Sequence, residues 1–177
     1  MAERLALARD LKAALRSSQS ELALHYQPKF DLRSGAMVGA EALLRWQHPI
    51  LGPISPAVFI PIAEERGMML MISNWVLEEA CRQMLAWQEE ELVFPGRLAI
   101  NIAAQQIEDA TFPERTEKTV RSFGLEPMQF ELELTESGMM RNIEVAINVF
   151  CQLSAKGFSL AIDDFGTGYS SLAYLKR

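Results

Sequence analysis

The chain has 177 residues, of which 49% are apolar, and a formal net charge of −6 at pH 7. This size and apolar content are sufficient for one domain with a hydrophobic core. The acidic balance argues against a broad surface for a nucleic acid polymer, which would need a basic stripe. A small anionic ligand, held by one or two arginines and metal ions, is compatible with this charge.

Cysteine usage and hydropathy give two further expectations. Cys81 and Cys151 lie far apart in the sequence, which disfavours a disulfide scaffold and favours a reducing, cytoplasmic setting. No run of about 18 apolar residues occurs, so the sequence predicts no membrane span. The N-terminus also lacks the pattern of a signal peptide.

The first segment of the chain is predicted to be a helix. Charged residues alternate there with Leu7, Leu11 and Leu15 at helical spacing. Two interpretations stay open, namely a surface helix of the domain or a helix that connects it to an upstream domain. We assign residues 1–20 to an N-terminal connecting helix and residues 21–177 to the domain itself.

Strands and helices alternate along the rest of the chain. Predicted strands cover residues 22–32, 36–46, 97–102, 129–136 and 158–165. Predicted helices cover residues 56–67, 71–91, 112–124 and 142–157, with another beginning near residue 170. This alternation predicts βαβ units and a parallel sheet, either doubly wound or closed as a (β/α)8 barrel. Because roughly five strands are counted and a barrel needs about eight, counting alone favours an open sheet.

Several predicted strands end in a side chain that could bind a metal ion or a polar ligand. These side chains are Glu41, Asn101, Glu133, Asp163 and Asp164. The carboxyl ends of parallel strands meet at one mouth, and carboxylates packed closely there need a cation. Oxygen donors suit Mg²⁺, Mn²⁺ or Ca²⁺. The alternative is structural, because strand-end Asp and Asn residues often cap helices or shape turns.

The aspartate pair can serve one site only under a geometric condition. Adjacent residues of a regular strand point to opposite faces, so Asp163 and Asp164 converge only if the strand ends there. The following Phe165, Gly166 and Gly168 make such an ending plausible, since glycine accepts turn geometries.

Other polar residues near these positions have two interpretations each. Arg45 shares strand parity with Glu41 and could clamp a phosphate bidentately or form a salt bridge to Glu41. Gln27 could contact a base edge or pair with the backbone. We expect Lys29 to be solvated and Glu131 to be hydrogen-bonded structure rather than a metal ligand.

Four motifs in a fixed order resemble those of a known family. The motif "EALLRW", followed by "NIAAQQ", "ELELTES" and "IDDFGTGYSSLAYLKR", resembles the EAL domains, bacterial phosphodiesterases that hydrolyse cyclic di-GMP. The segment that surrounds the first motif also resembles the opening of that family. The similarity extends from about residue 22 to residue 177.

The resemblance implies a fold and a metal site. The fold would be a TIM-like (β/α) barrel of the EAL type, incomplete in this chain because later strands are absent. Glu41, Asn101, Glu133 and Asp163 match the metal ligands of the family, and Asp164 lies beside the second metal. The cofactors would be two Mg²⁺ or Mn²⁺ ions, with Ca²⁺ inhibitory.

The resemblance also implies a ligand and partners. Gln27 and Arg45 match positions that contact cyclic di-GMP, while Leu43 and Leu44 line the same strand. Glu136 matches a glutamate that steadies the loop containing Phe165, Gly166 and Gly168. That loop is linked in the family to dimerisation, so we expect a homodimer. An upstream sensory or diguanylate cyclase domain is a further expectation.

The chain departs from the family pattern at Arg177, its last residue. A complete EAL domain continues with a strand that carries a lysine, a strand that carries a glutamate taken as general base, and a late glutamine. The general base is therefore expected beyond Arg177, and we expect weak or no hydrolysis by this chain alone. Three interpretations stay open: part of an active phosphodiesterase, a non-catalytic cyclic di-GMP-binding module, or an interaction module completed by another chain.

Overall fold

Helices and strands alternate in the computed structural model, which describes residues 2–17 and 21–164. Within these residues the strands are β1 (Leu22–Phe30), β2 (Met37–His48), β3 (Gly52–Ile54), β4 (Arg97–Asn101), β5 (Phe130–Thr135) and β6 (Ser159–Asp163). The helices are α1 (Ala2–Ala14), α2 (Pro56–Glu65), α3 (Met69–Glu89), α4 (Ala104–Ile107), α5 (Phe112–Ser122), α6 (Glu136–Met140) and α7 (Ile143–Ala155).

The order of the strands identifies the type of sheet. The main path is β1-β2-β4-β5-β6, with β3 paired to β2 alone. The strands β2, β4, β5 and β6 are parallel, whereas β1 and β3 run antiparallel to β2. A doubly wound sheet reverses its strand order at a switch point, but here spatial order follows chain order, as in a barrel. The open sheet favoured by strand counting is wrong, and the barrel-type winding replaces it.

Most predicted elements are confirmed. The first two strands form an antiparallel hairpin around the predicted turn, where the Asp31 carboxylate accepts hydrogen bonds from the backbone of Arg33 and Ser34 at 3.1 and 2.8 Å. The four long helices between strands are also present. The sequence did not predict β3, α4 or α6, because elements of three to five residues carry too little periodicity to detect.

The hydrophobic core lies between one face of the sheet and the helices. The helices α2, α3 and α7 contact β2, β4 and β6, and α5 packs between α3 and α7. Leu98 and Leu132 point to this face and are 0% and 1% exposed. Trp46 packs edge-on against Phe59 with ring centroids 5.7 Å apart. Alternate strand residues point to the opposite face, where the polar strand-end side chains lie.

Helix α1 packs on the same domain. Leu11 and Ala14 are buried, Arg4 forms an ion pair with Glu65 of α2 at 3.1 Å, and Asp10 Oδ2 lies 3.4 Å from Nε2 of His48. The boundary between residues 1–20 and 21–177 stays a prediction. None of the described helices combines the length and the apolar character that a membrane crossing requires.

Two glycines allow β2 and β4 to approach at the start of their pairing, and Gly96 is the more constrained. Gly96 has φ +79°, and a Cβ there would lie 1.7 Å from the carbonyl oxygen of Val38. We expect Gly96→Ala to lower the free energy of unfolding by about 3 kcal/mol or more, because the strands must separate to admit the methyl group. Urea denaturation of the purified chain measures this loss.

A matched control separates steric overlap from backbone strain. Gly35, in the hairpin turn, has φ +68°, but a Cβ added there would have no atom within 4 Å. Gly35→Ala should therefore cost only the left-handed backbone penalty of about 1–2 kcal/mol. Equal losses in the two variants would contradict the close approach of the strands at Gly96.

The turn between α4 and α5 has an acid-sensitive carboxylate. Hydrogen bonds from Thr111 and Arg115 to Asp109 lower the pKa of Asp109 to about 2. Because this pKa lies below the unfolded value of 3.8, the bonds stabilise the fold above that value, and the stabilisation is lost as pH falls toward 2. Calorimetry should show a lower melting temperature for Asp109→Asn at pH 7 and a shrinking deficit as the pH approaches 2.

Candidate functional site

Strand register aligns the polar side chains in rows across the sheet. Glu41 of β2 pairs with Ala99 of β4, and Ala99 pairs with Glu131 of β5, so these three residues form one row. Two residues further along the strands, Asn101 pairs with Glu133 in the next row. All five residues have the same parity and point to the face opposite the helices. Ala99, which lies between Glu41 and Glu131 in this row, is 1% exposed.

The aspartate pair lies at the end of β6. Asp163 pairs with Thr135 one row beyond Glu133, and it is the last residue of the strand. Asp164 follows with φ +54°, and its backbone N–H donates to Asp163 Oδ1 at 2.8 Å. The condition that the strand ends at this pair is therefore met. The other predicted loop residues lie outside the described residues: Phe165, Gly166 and Gly168.

Hydrogen bonds connect the side chains of neighbouring strands. Asn101 Nδ2 donates to Glu41 Oε1 at 2.7 Å. Lys29 Nζ donates to Glu131 Oε1 at 3.0 Å and to Glu133 Oε1 at 2.5 Å. The expectation that Lys29 is solvated is wrong, because the hairpin places it on the site face and its long stem reaches β5. Glu131 is hydrogen-bonded, as expected, and also accepts from Ser159 Oγ at 3.3 Å.

The electrostatics of the site centre on Glu133, whose side chain is 8% exposed. Burial raises the pKa of Glu133, and the charges of Glu41 and Glu131 act in the same direction against the opposing effect of Lys29. Burial alone would lower the pKa of Lys29, but its hydrogen bonds to Glu133 and Glu131 outweigh burial and raise that pKa. The positive charge of Lys29 therefore offsets part of the effect of burial on the pKa of Glu133.

The described side chains fit a hard divalent cation in chemical type. Glu41, Asn101 and Glu133 present carboxylate and amide oxygens, the donors that Mg²⁺ and Mn²⁺ prefer. Within residues 2–17 and 21–164, no three His, Cys, Asp or Glu side chains converge closely enough to hold a metal ion. The assignment of these residues, with Asp163 and Asp164, as metal ligands stays a prediction.

A cavity of about 570 Å³ opens beside the strand ends. Leu43, Leu44 and Arg45 of β2 line it together with Asn101. Residues of α2 and α3, the end of β5, α6 and the residue after it, Arg141, also line the cavity. This volume lies within the range of about 300–1,000 Å³ that is typical of small-molecule sites.

Arg45 and Gln27, the two residues predicted to contact a ligand, differ in their position relative to this cavity. Arg45 lines the cavity and donates from Nη1 to the carbonyl oxygen of Leu44 at 2.9 Å. The alternative salt bridge from Arg45 to Glu41 does not occur among the described ion pairs. Gln27 pairs in register with Glu41 on the site face but does not line the cavity. Their contacts with a ligand remain predictions.

Glu136 lies next to the mouth of the site. It is 7% exposed at the start of α6, where the Thr135 hydroxyl caps the helix by accepting from Gly138 N–H at 3.2 Å. A buried carboxylate at this position is compatible with a role in holding neighbouring backbone. Its predicted effect on the loop after Asp164 is not tested, because that loop lies outside the described residues.

The catalytic base has no assigned residue in the part of the chain that the structure describes. The family pattern puts that base beyond Arg177, which is the last residue of the sequence. Arg177 itself lies outside residues 2–17 and 21–164. The expected position of the general base therefore stays a prediction.

Sequence reasoning missed two cationic residues of the site. Lys29 could have been found from the hairpin, since the pairing of Gln27 with Glu41 puts Lys29 on the same face. Arg141 lines the same cavity as Arg45, but its position depends on the path of the chain after β5. No local pattern in the sequence marks that path.

The fold and the site together define a class. A parallel sheet wound in chain order, with helices on one face and oxygen donors on the other, is a TIM-like α/β barrel architecture. The family model described as "EAL domain" matches residues 8–177. The chain therefore belongs to the EAL domain family.

Individual relatives agree with this membership. The bifunctional diguanylate cyclase/cyclic di-GMP phosphodiesterase MucR of Pseudomonas aeruginosa is 46% identical over 175 residues, which cover 99% of this chain and 25% of MucR. Another cyclic di-GMP phosphodiesterase of the same organism is 42% identical over 153 residues, which cover 86% of this chain and 26% of that protein. The chain thus spans about a quarter of the length of these relatives.

A solved structure confirms the fold. The structure of the PaMucR phosphodiesterase in complex with c-di-GMP matches this chain with a TM-score of 0.87 and 44% sequence identity. The match covers 97% of this chain and 68% of that chain. The TIM-like barrel expected from the sequence motifs is confirmed.

One substitution can separate the predicted metal-binding role of Asn101 from its contribution to the stability of the fold. Asn101 and its partner Glu41 are not buried, so Asn101→Ala should change the free energy of unfolding by no more than about 1 kcal/mol. If the amide is a metal ligand, the same substitution should weaken Mn²⁺ binding about tenfold or more. Titration of Mn²⁺ by electron paramagnetic resonance measures the affinity, with the exposed Asn74→Ala as control. Unchanged Mn²⁺ affinity would contradict the assignment of Asn101.

Proposed function

We propose that the strands of this chain contribute part of a cyclic di-GMP phosphodiesterase site, in which cyclic di-GMP is hydrolysed to linear pGpG. The observation that carries the proposal is the alignment of Glu41, Asn101, Glu133 and Asp163 on one face of four adjacent parallel strands, beside a cavity of about 570 Å³. Asn101 and Asp163 end their strands, whereas Glu41 lies within β2, not at the strand end that the sequence predicted. It is supported by family membership and by the c-di-GMP complex of a 44% identical relative.

Glu41, Asn101, Glu133, Asp163 and Asp164 are the side chains that would hold two Mg²⁺ or Mn²⁺ ions. Bound divalent ions would supply the positive charge that activates a water and offsets the charge that develops at phosphorus. The larger Ca²⁺ ion is expected to support ligand binding but to inhibit turnover.

The other side chains bind and orient the ligand. Arg45 lies on the cavity wall with a guanidinium group suited to bidentate contact with a phosphodiester. Leu43 and Leu44 supply apolar surface on the same strand, and Gln27 is the candidate for a base-edge contact. The Asn101 amide holds Glu41 by donating to its Oε1 atom at 2.7 Å. Attack of water at phosphorus and departure of the 3′ oxygen open one of the two phosphodiester bonds.

A second function, binding of cyclic di-GMP without turnover, is favoured by the contact between Lys29 and Glu133. One carboxylate oxygen of Glu133 already accepts a hydrogen bond from the ammonium group, which competes with a metal ion for the same atom. We expect this chain alone to bind cyclic di-GMP and to hydrolyse it weakly or not at all.

Calorimetry with cyclic di-GMP in CaCl₂ tests the binding step. We expect saturable binding by the purified chain and at least tenfold weaker binding by Arg45→Met, because a charge-assisted contact to phosphate is lost. Arg33→Met, at an exposed position in the hairpin turn, is the matched control and should bind normally.

Chromatography for pGpG with Mg²⁺ or Mn²⁺ tests turnover in the same samples. The absence of binding in the wild-type chain would refute the proposal. Efficient metal-dependent hydrolysis would instead refute the expectation of weak activity and support the catalytic function over binding alone.

Three further elements belong to the same proposal. A homodimer is expected by way of the loop after Asp164, and sedimentation measures it. An upstream sensory or diguanylate cyclase domain is also expected. The relative MucR, a bifunctional diguanylate cyclase/cyclic di-GMP phosphodiesterase, supports this expectation. A cytoplasmic setting is supported by free Cys81 and Cys151.

A further inference from the structure

Lys29 lies one layer below the row that contains Glu41 and Glu131. It pairs in the hairpin with Gly39, two residues before Glu41 on β2. Its side chain therefore starts beneath the site and extends up the same face of the sheet. The ammonium group ends between two carboxylates of β5, 3.0 Å from Glu131 Oε1 and 2.5 Å from Glu133 Oε1.

The neighbourhood of Lys29 is rich in negative charge. Glu41, Glu131 and Glu133 all point to this face, and the side chains of the last two are only 24% and 8% exposed. Like charges in such partly buried positions repel strongly because water screens them poorly. Among the described ion pairs, Lys29 is the cation that contacts Glu131 and Glu133.

The two carboxylates that contact Lys29 differ in their other partners. Glu131 uses its second oxygen, Oε2, to accept from Ser159 Oγ at 3.3 Å. Glu131 is thereby tied to β6 and keeps Lys29 at its position. Glu133 lies one row closer to the mouth, beside Asn101, where the proposed cation would bind.

We propose that Lys29 is a positioning residue that acts as an internal counter-ion. Its ammonium group holds Glu131 and Glu133 together when no divalent cation is bound, and it releases Glu133 when a cation takes that carboxylate. Glu131 keeps its hydrogen bond to Lys29 both with and without a bound divalent cation. This inference rests on the proposed function, since it concerns the same metal site.

The exchange has a thermodynamic consequence. Without Lys29 the carboxylates repel one another in the metal-free protein, so folding becomes more dependent on a divalent cation. A cation stabilises the folded protein in proportion to the logarithm of its concentration over its dissociation constant. Without Lys29, the divalent cation also no longer competes with the ammonium group for Glu133, so the cation binds more tightly.

Comparison of Lys29→Met with the wild-type chain tests this role by melting temperature and by Mn²⁺ affinity. In EDTA, Lys29→Met should melt several degrees lower than the wild type, and saturating MnCl₂ should remove most of that deficit. Electron paramagnetic resonance should report Mn²⁺ affinity at least threefold tighter in the variant. Lys29→Arg keeps the charge and should remain close to wild type in both measurements. Lys118→Met, at an exposed position on α5, is the control for removal of one positive charge.

A double variant guards against failure of the single variant to fold. Lys29→Met combined with Glu131→Gln removes one charge of each sign and should recover part of the melting temperature in EDTA. A deficit that is equal in EDTA and MnCl₂ would overturn the proposal, as would an unchanged melting temperature in EDTA or weaker Mn²⁺ binding. Failure of the proposed function would be visible in the wild type itself, as absence of Mn²⁺ and cyclic di-GMP binding.

Discussion

Backbone hydrogen bonds between the parallel strands set the geometry on which the candidate site depends. The register of β2, β4, β5 and β6 puts Glu41 in one row, Asn101 and Glu133 in the next, and Asp163 in the row beyond. A shift of one residue in any strand would turn its polar side chain toward the core. The close approach of Gly39 and Gly96 at the start of β2 and β4 protects this register, because neither position has space for a side chain.

Charge compensation is the second constraint on the site. Parallel strands bring carboxylates together whether or not a metal ion is present, so the metal-free fold needs its own source of positive charge. Lys29 meets that need from β1, which is antiparallel to β2 at the start of the main path among the described strands. The antiparallel hairpin thus supports the site as well as forming one edge of the sheet. Through the contacts of Lys29, the hairpin links the pairing of β1 and β2 to the charge balance of Glu131 and Glu133 on β5.

Most of the fold, and the set of candidate site residues that the structure puts on one face of the sheet, could be predicted from the sequence. Hydrophobic periodicity located the long helices and strands. The last strand ends at Asp163, two residues before the predicted end, and the segment that follows had made an ending at the aspartate pair plausible. The hydrogen-bonded role of Glu131 was expected from its position two residues before Glu133 on the same face of the strand. Strand counting gave the wrong type of sheet. The order of the strands depends on how the helices pack against the sheet, and no local sequence pattern records that packing. The contact of Lys29 was missed because it joins residues 102 and 104 positions apart.

The sequence by itself determined the residue types available to the candidate site, namely oxygen donors on successive strands and an arginine suited to phosphate, and membership of a family through four ordered motifs. Only the tertiary structure decided which of these side chains meet. It paired Asn101 with Glu41 at 2.7 Å, placed Arg45 on a cavity wall, and brought Lys29 to the carboxylates of β5. The reason is physical: residue type and spacing determine what a side chain can bind, whereas strand register and long-range packing determine what it is close enough to contact.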